Sequence, residues 1–291
     1  MKNVILYILL IITVYGCVPK PIDIDVKTIE PKLVLSSQII PNRIMIVSLT
    51  RSFSALDGKG IEDTDSLSTD FMDKLLVKNA VVAVSYLGRT DTLYMIQPGI
   101  YASINVLQYN FGDYSIHARD ALNGQEIFAT TQLIPKVQFD TIYPSILKNP
   151  GDTVVNIHFT FSDNPSSEDY YVINYIRKTT DTSNLDINQA FKIGSNSVLT
   201  QFELFDDNSF TNNVYNVKKK LDEVRARDSL AVMLSHISKG YYEFLNAYKK
   251  SGSIINQLTG EPITYPTNVI NGYGYFNAYY PSIKYFDLKK Y

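Results

Sequence analysis

The stretch TVVNIHFTFS, residues 153–162, decides the fold class, because apolar and polar side chains alternate along it. A period of two is that of a β-strand, in which successive side chains point to opposite faces of a sheet. The alternation predicts a strand of an antiparallel sheet, with one face buried and the other in water. The predicted buried face carries Val155, Ile157, Phe159 and Phe161, and the other face Asn156, His158, Thr160 and Ser162.

Turn signals separate further β-rich runs on the N-terminal side of this stretch. Pro41-Asn42, Leu87-Gly88-Arg89 and Asn123-Gly124 each stand between two such runs, and Asn-Gly is the strongest short signal for a hairpin. Strands spaced about 8–12 residues apart are typical of a β-sandwich. We therefore predict a mainly β protein.

Residues that interrupt helices and strands cluster within 138–152, where Pro144, Pro150 and Gly151 fall. This cluster predicts a domain boundary. A β-sandwich domain is expected over 32–143 and a second β-rich domain over 152–291. The segment 213–227 fits a helix nearly as well as a strand. The polar, acidic segment 52–73 is predicted to be a long loop.

One amphipathic helix is predicted near 238–250 in the second domain. Ser238 is a good N-terminal cap, and Gly252 is a good terminator. The apolar residues that recur at helical spacing are Ile237, Tyr241, Phe244, Leu245 and Tyr248.

The N-terminus has the pattern of an export signal that ends at the only cysteine of the chain, Cys17. Lys2 gives a positive start, and the apolar run 4–15 is too short to span a bilayer as a stable helix. A lone cysteine at the cleavage site resembles a bacterial lipoprotein signal, in which the thiol is acylated. We predict a signal peptide over 1–16, lipidation of Cys17 and a tether over 17–31. The alternative is an ordinary secretory signal with an incidental cysteine.

The residue after the cysteine favours the outer membrane as the destination. Val18 stands where many lipoproteins retained at the inner membrane have aspartate. The predicted membrane contact is therefore lipid on Cys17, at either face of the outer membrane. The formal net charge is −2, so the chain lacks the net positive charge that attracts nucleic acid.

The chemistry-bearing residues do not assemble into a recognised catalytic or metal motif. His117, His158 and His236 fall on three separate predicted strands, without the close spacing typical of zinc ligands. The carboxylates of 57–65 lack the alternating pattern of a calcium loop. There is no Gly-x-Ser-x-Gly elbow. We predict no metal, no cofactor and no enzymatic activity.

Tyrosines crowd the C-terminal end of the chain and provide a candidate partner or ligand patch. A tyrosine ring combines a flat apolar face with a hydroxyl, which suits protein interfaces and sugar stacking. The alternative, which the sequence favours, is ordinary strand packing with the hydroxyls at the surface. The candidate patch consists of Tyr273, Tyr275, Tyr279 and Tyr280.

The motifs that follow Cys17 are PKLVL (31–35), VSLTRS (47–52), PGIY (98–101), DYSI (113–116), LSHIS (234–238), YYEFL (241–245) and NVINGYGYF (268–276). The order of these short motifs resembles a family of Bacteroidota lipoproteins known as domain of unknown function 4249. That resemblance implies an Ig-like or transthyretin-like sandwich, followed by a second β-rich domain, with no recognised catalytic residues. It also implies a gene neighbourhood with TonB-dependent outer-membrane receptors.

Two functions are compatible with these features. The first is a lipid-anchored accessory protein of the outer membrane, which binds a TonB-dependent receptor or its cargo. The alternative is a free-standing surface lipoprotein that binds glycans or acts as an adhesin.

Overall fold

Strands dominate the computed structural model of the chain, which describes residues 30–53, 69–108, 111–149, 152–178, 198–210, 213–251 and 265–291. The first seven strands are β1 (Leu33–Ile39), β2 (Ile44–Arg51), β3 (Ala80–Tyr86), β4 (Arg89–Gln97), β5 (Ile100–Val106), β6 (Asp113–Asp120) and β7 (Glu126–Gln132). The next strands along the chain are β8 (Thr141–Asn149), β9 (Asp152–Ser162), β10 (Tyr170–Lys178), β11 (Val198–Asp206), β12 (Val214–Leu221) and β13 (Ser229–Ile237). The last three are β14 (Val269–Ile270), β15 (Tyr273–Ala278) and β16 (Ser282–Asp287).

The first sandwich is a single nine-stranded sheet that folds over on itself, in the order β14-β7-β6-β3-β4-β5-β2-β1-β15. Strand β4 pairs with β3 up to Leu93 and with β5 from Tyr94 onwards, so it turns the corner between the two halves. Strands that pass from one layer to the other are typical of such corners. Both halves contribute to one core, which includes Leu35, Val84 and Tyr114.

The end of the chain completes this first sandwich. Strand β15 pairs in parallel with β1, from Val34 opposite Tyr273 to Ile39 opposite Ala278. The side chain of Asn268 ties β15 to β7, because its Nδ2 donates to the carbonyl oxygens of Thr130 (3.0 Å) and Phe276 (2.7 Å). Residues 269–278 therefore belong to a sheet whose other strands all precede residue 133.

The second sandwich places the four-stranded sheet β11-β10-β13-β16 against the three-stranded sheet β12-β9-β8. The alternating stretch of β9 faces the core, where Ile157, Phe159 and Phe161 are at most 1% exposed. Burying each of these side chains contributes about 1.5–3 kcal/mol. Pro144, a boundary signal in the sequence, lies inside β8, where the edge position leaves room for a residue without an amide hydrogen.

Two α-helices lie within the described residues. Helix α1 (Thr69–Leu75) follows β2, and helix α2 (Lys239–Ser251) follows β13. The amide of Tyr241 donates to Oγ of Ser238 (3.3 Å), so Ser238 caps α2 as predicted. The prediction of a loop over 52–73 is wrong for the end of that segment, because Asp70 and Asp73 lie in α1.

A third apolar cluster lies where α2, β10 and β15 meet. Tyr170, Val172, Ile237, Tyr241 and Tyr279 are buried there. Gln38 links the elements, since its Nε2 donates to the Tyr241 hydroxyl (2.8 Å) and its Oε1 accepts from the Tyr279 hydroxyl (2.6 Å). Residues Pro31–Tyr291 form one compact unit.

The prediction of a mainly β fold with a β-sandwich, a second β-rich part and an amphipathic helix is confirmed. The ambiguous segment 213–227 contains β12, which pairs with β9. The predicted limits, 32–143 and 152–291, do not coincide with the sheets, because β14 and β15 join the first sheet and β8 pairs with β9. In the described part of the chain, no helix combines the length and the apolar character needed to cross a membrane.

Candidate functional site

The predicted lipidation site, Cys17, lies outside the described residues, as do the signal peptide and nearly all of the tether. The carboxylates of 57–65, weighed as calcium ligands, also lie outside them. A short 3-10 helix spans Asp207–Ser209. There Oδ1 of Asp207 accepts the amide of Asp169 (2.9 Å), which gives this aspartate a structural role.

Two members of the tyrosine patch, the exposed Tyr273 and the half-buried Tyr280, lie at the start of β15 and just beyond its end. The ring of Tyr273 is 44% exposed and lies 5.4 Å from the ammonium of Lys32. The hydroxyl of Tyr280 accepts from Nδ2 of Asn42 (3.1 Å), and the ammonium of Lys136 lies 5.1 Å from its ring. Seven residues of extended chain span roughly 23 Å, so these two rings do not form one surface.

The other two tyrosines belong to the third apolar cluster. The expectation that Tyr279 faces a partner is wrong, because its side chain is only 4% exposed. Tyr275 packs its ring against Tyr241 and Phe244, at centroid distances of 5.2 and 5.5 Å. Burial raises the pKa of both Tyr275 and Tyr279, and it raises the pKa of Tyr241 to about 12. These hydroxyls stay protonated and act in packing.

The three histidines lie on separate strands, as predicted: His117 on β6, His158 on β9 and His236 on β13. His117 stacks on Phe128 with ring centroids 4.4 Å apart. Nε2 of His236 lies 3.2 Å from the Asp169 carboxylate, but burial lowers the pKa of His236 in spite of that partner. Across the described residues, no group of three or more histidine, cysteine, aspartate or glutamate side chains is placed to hold a metal ion.

The most prominent exposed feature of the first sandwich is an apolar area at the corner where β4 changes partners. We name it the corner patch. Its side chains are at least 43% exposed, and the most exposed is Ile104 at 75%. Isolated exposed apolar residues are normal, but a group of them marks an interaction surface. The corner patch consists of Ile44, Tyr94, Ile96, Ile104 and Val106, whereas the exposed Met95 lies opposite the buried Tyr101 and so faces the other side of β4.

Strand pairing brings these residues together. Ile44 of β2 lies directly opposite Val106 of β5, and Tyr94 of β4 lies opposite Ala102 of β5. Residues opposite each other on adjacent strands face the same side, with Cβ atoms about 5 Å apart. Ile104 stands between Ala102 and Val106 on the same strand. Ile44, Tyr94 and Val106 therefore face the same side of three neighbouring strands.

A bulge in β5 turns Ile104 outward. The register between β2 and β5 shifts between Ile44 and Ile46, so β5 contains extra residues there. The Ser103 hydroxyl stabilises this bulge: it accepts the amide of Met45 (2.9 Å) and donates to the carbonyl of Asn105 (2.8 Å). Bulges commonly redirect a side chain at a functional surface.

The sequence carries only a faint signal for this surface. Tyr94-Met95-Ile96 is a run of three apolar residues, which indicates burial as readily as exposure. The bulge at Ser103 depends on the pairing partner, which the sequence does not identify. Sequence analysis therefore missed the corner patch.

Comparison with known proteins gives the family. The model of the family described as Domain of unknown function (DUF4249) matches residues 19–284. The chain belongs to this family. The match extends into β16 of this DUF4249 protein and includes β14 and β15, which complete the first sandwich. It confirms the resemblance to domain of unknown function 4249, whereas the lipoprotein and Bacteroidota parts of that resemblance stay predictions.

Similarity to solved structures is remote. Trypsin-activated alpha-2-macroglobulin from Escherichia coli is 12% identical, with a TM-score of 0.23 over 72% of this chain and 15% of that one. A mutant Salmonella alpha-2-macroglobulin is 13% identical, with a TM-score of 0.23 over 74% of this chain and 14% of that one. This chain thus spans about one seventh of their length. No curated protein matches it.

Proposed function

We propose that this DUF4249 protein is a lipid-anchored, non-enzymatic accessory protein of the bacterial outer membrane, which binds a TonB-dependent receptor. The corner patch is the observation that supports it, because this exposed apolar surface lies on paired strands of the first sandwich. Proteins that act on small molecules usually do so in concave pockets, whereas partner proteins are recognised on apolar patches of this kind.

The anchor and the patch complement each other in this proposal. Lipid on Cys17 keeps the protein at the membrane surface. An integral receptor lies in the same membrane, so the two proteins diffuse in one plane. Tethering raises the effective concentration of the two partners, so that a modest apolar contact is sufficient for binding. The family resemblance supplies the receptor class, through the gene neighbourhood that it implies.

Serine substitutions in the corner patch are expected to separate the protein from its receptor. We expect the wild-type protein, extracted in mild detergent, to co-purify with a receptor identified by mass as TonB-dependent. The variant Ile104→Ser with Val106→Ser should recover at least about tenfold less receptor, because central apolar contacts carry most of the binding free energy. The change is on exposed side chains and should leave the urea midpoint unchanged.

The matched control is Val81→Ser with Leu122→Ser, which removes two exposed apolar side chains (60% and 69%) outside the corner patch. This control should recover as much receptor as the wild type. Equal recovery with the patch variant, or no receptor with the wild type, would contradict the proposed function.

Replacing Cys17 with alanine should release the protein from the membrane. Each buried methylene of an acyl chain contributes about 0.8 kcal/mol to membrane binding, and several chains make attachment effectively permanent. We expect the wild-type protein in the membrane fraction, with an acylated Cys17 as its first residue by mass spectrometry. The Cys17→Ala protein should lack acyl chains and leave the outer-membrane fraction, whereas Val18→Ala should behave as the wild type. A free thiol at Cys17 in the wild type would show that the signal is an ordinary secretory one.

A further inference from the structure

The outer face of the three-stranded sheet presents a block of six side chains that the proposed function does not use. On β8, β9 and β12, Tyr143 lies opposite His158, which lies opposite Lys218. In the next row, Ser145 lies opposite Asn156, which lies opposite Lys220. Directly opposed residues share a face of the sheet. We name this block the lysine face: Tyr143, Ser145, Asn156, His158, Lys218 and Lys220.

An unsatisfied amide lies in the middle of the lysine face. Asn156 is 5% exposed, and its Nδ2 is buried without a hydrogen-bond acceptor anywhere in the described part of the chain. A buried donor without a partner costs about 1–3 kcal/mol. Strand alternation puts Asn156 on the side away from Ile157, which faces the core. An acceptor that approached from outside would therefore remove this cost.

The charges around this amide favour a negatively charged acceptor. Lys218 and Lys220 are two residues apart on β12, so both stand on the same face of the sheet. Acidic groups lie at the two ends of the block: Asp222, 3.0 Å from the Lys220 ammonium, and Asp140, 2.7 Å from the Ser162 hydroxyl. The block itself contains no carboxylate. Lys220 lies directly opposite Asn156, so an anionic group bound by Lys220 would lie next to this amide.

An aromatic platform lies beside the amide. The rings of Tyr143 and His158 are parallel, with centroids 4.9 Å apart and an angle of 4° between their planes. Nε2 of His158 is hydrogen-bonded to the Ser145 hydroxyl (2.9 Å), which fixes the orientation of the imidazole. Tyr143 is 53% exposed. A fixed aromatic ring with one accessible side suits the apolar face of a pyranose.

We propose that the lysine face binds an acidic polysaccharide. Its carboxylates or sulfates would accept from Asn156, Lys218 and Lys220, while a sugar ring stacks on Tyr143. Three donors on two neighbouring strands, two of them lysines two residues apart on β12, suit anionic groups repeated along a chain. The site lies on the second sandwich and the corner patch on the first, so this proposal does not depend on receptor binding.

The test measures binding of an oligogalacturonate tetrasaccharide to the full chain by calorimetry, with neutral galactotetraose and inorganic phosphate as comparison ligands. We expect the oligogalacturonate to bind at least about tenfold more tightly than either. The variant Lys218→Gln with Lys220→Gln should weaken binding at least about tenfold. The control Lys249→Gln with Lys250→Gln, an equal charge change on α2, should leave it unchanged.

A second readout separates a defined site from general charge attraction. In ¹⁵N-edited NMR spectra, the side-chain amide signals of Asn156 should shift as oligogalacturonate saturates the protein. A heparin-derived tetrasaccharide then separates the two chemistries: tighter binding assigns the site to sulfated chains, and weaker binding to carboxylated ones. Unchanged Asn156 signals at saturation, equal weakening by both lysine pairs, or no binding of either acidic tetrasaccharide would overturn the proposal.

Discussion

Replacing Gly274 with alanine is expected to lower the free energy of unfolding by about 4 kcal/mol, from backbone strain together with overpacking. Gly274 lies in β15 with φ = +96°, a conformation that side-chain-bearing residues rarely adopt. A Cβ at this position would overlap the carbonyl oxygen of Leu35 and lie 3.0 Å from its amide nitrogen. The obstacle is the backbone of β1, which cannot rotate away, so the parallel β1–β15 pair should open.

The matched control is Gly124→Ala. Gly124 has φ = +74°, but a Cβ there would meet nothing within 4 Å. This control should lose only about 1 kcal/mol, the cost of the backbone conformation alone. Urea unfolding followed by circular dichroism measures both variants. Equal losses would show that the close approach of β15 to β1 does not contribute to stability.

Replacing Arg51 with methionine should cost about 3–5 kcal/mol, because it leaves a buried charge without its partner. The Arg51 guanidinium is paired with the Asp120 carboxylate, and the Asp120 side chain is fully buried. The pair joins the end of β2 to the end of β6, across the two halves of the first sandwich. The second carboxylate oxygen accepts the amide of Leu122 (3.0 Å) and so is tied to the hairpin that follows.

Two further variants distinguish a lost ion pair from a lost side chain. Arg119→Met removes an exposed pair with Glu126 (Nε to Oε1, 3.4 Å), and should cost no more than about 1 kcal/mol. Arg51→Met combined with Asp120→Leu should regain much of the loss, since no unpaired charge stays buried. A double variant as unstable as Arg51→Met would contradict this account of Asp120.

The local structure could be predicted from the sequence wherever it depends on one strand or one turn. The alternation of 153–162 identified β9 and its buried face, and Leu87-Gly88 correctly marked the hairpin between β3 and β4. The pairing of β15 with β1 could not be predicted, because the two strands are about 240 residues apart in sequence and nothing local specifies a parallel partner. The same holds for the passage of β4 between two partners at Leu93.

The segment that ends in Tyr279 shows why an alternating pattern was insufficient to predict which tyrosines are exposed. Phe276, Asn277, Ala278 and Tyr279 are all buried in succession, because this segment is covered on both faces where the third apolar cluster forms. Alternation predicts exposure only for a strand with one wet face. Tyr279 therefore looked like a surface residue in the sequence.

The lysine face could not be predicted because the secondary structure of segment 213–227 was ambiguous. The segment 213–227 has apolar residues at spacings that suit a helix or a strand, so the phase of its lysines was undefined. Once β12 pairs with β9, Lys218 and Lys220 necessarily share a face with His158 and Asn156. Here the tertiary pairing supplies the information that the local pattern lacks.

Site-specific photo-crosslinking in intact cells tests most directly whether the corner patch is the receptor-binding surface. A photoreactive residue at position 104 stands at the most exposed point of the patch, and one at position 122 serves as the control. We expect irradiation to join position 104, but not position 122, to a TonB-dependent receptor identified by mass spectrometry. A receptor crosslink from position 122 alone, or from neither position, would contradict the proposed function.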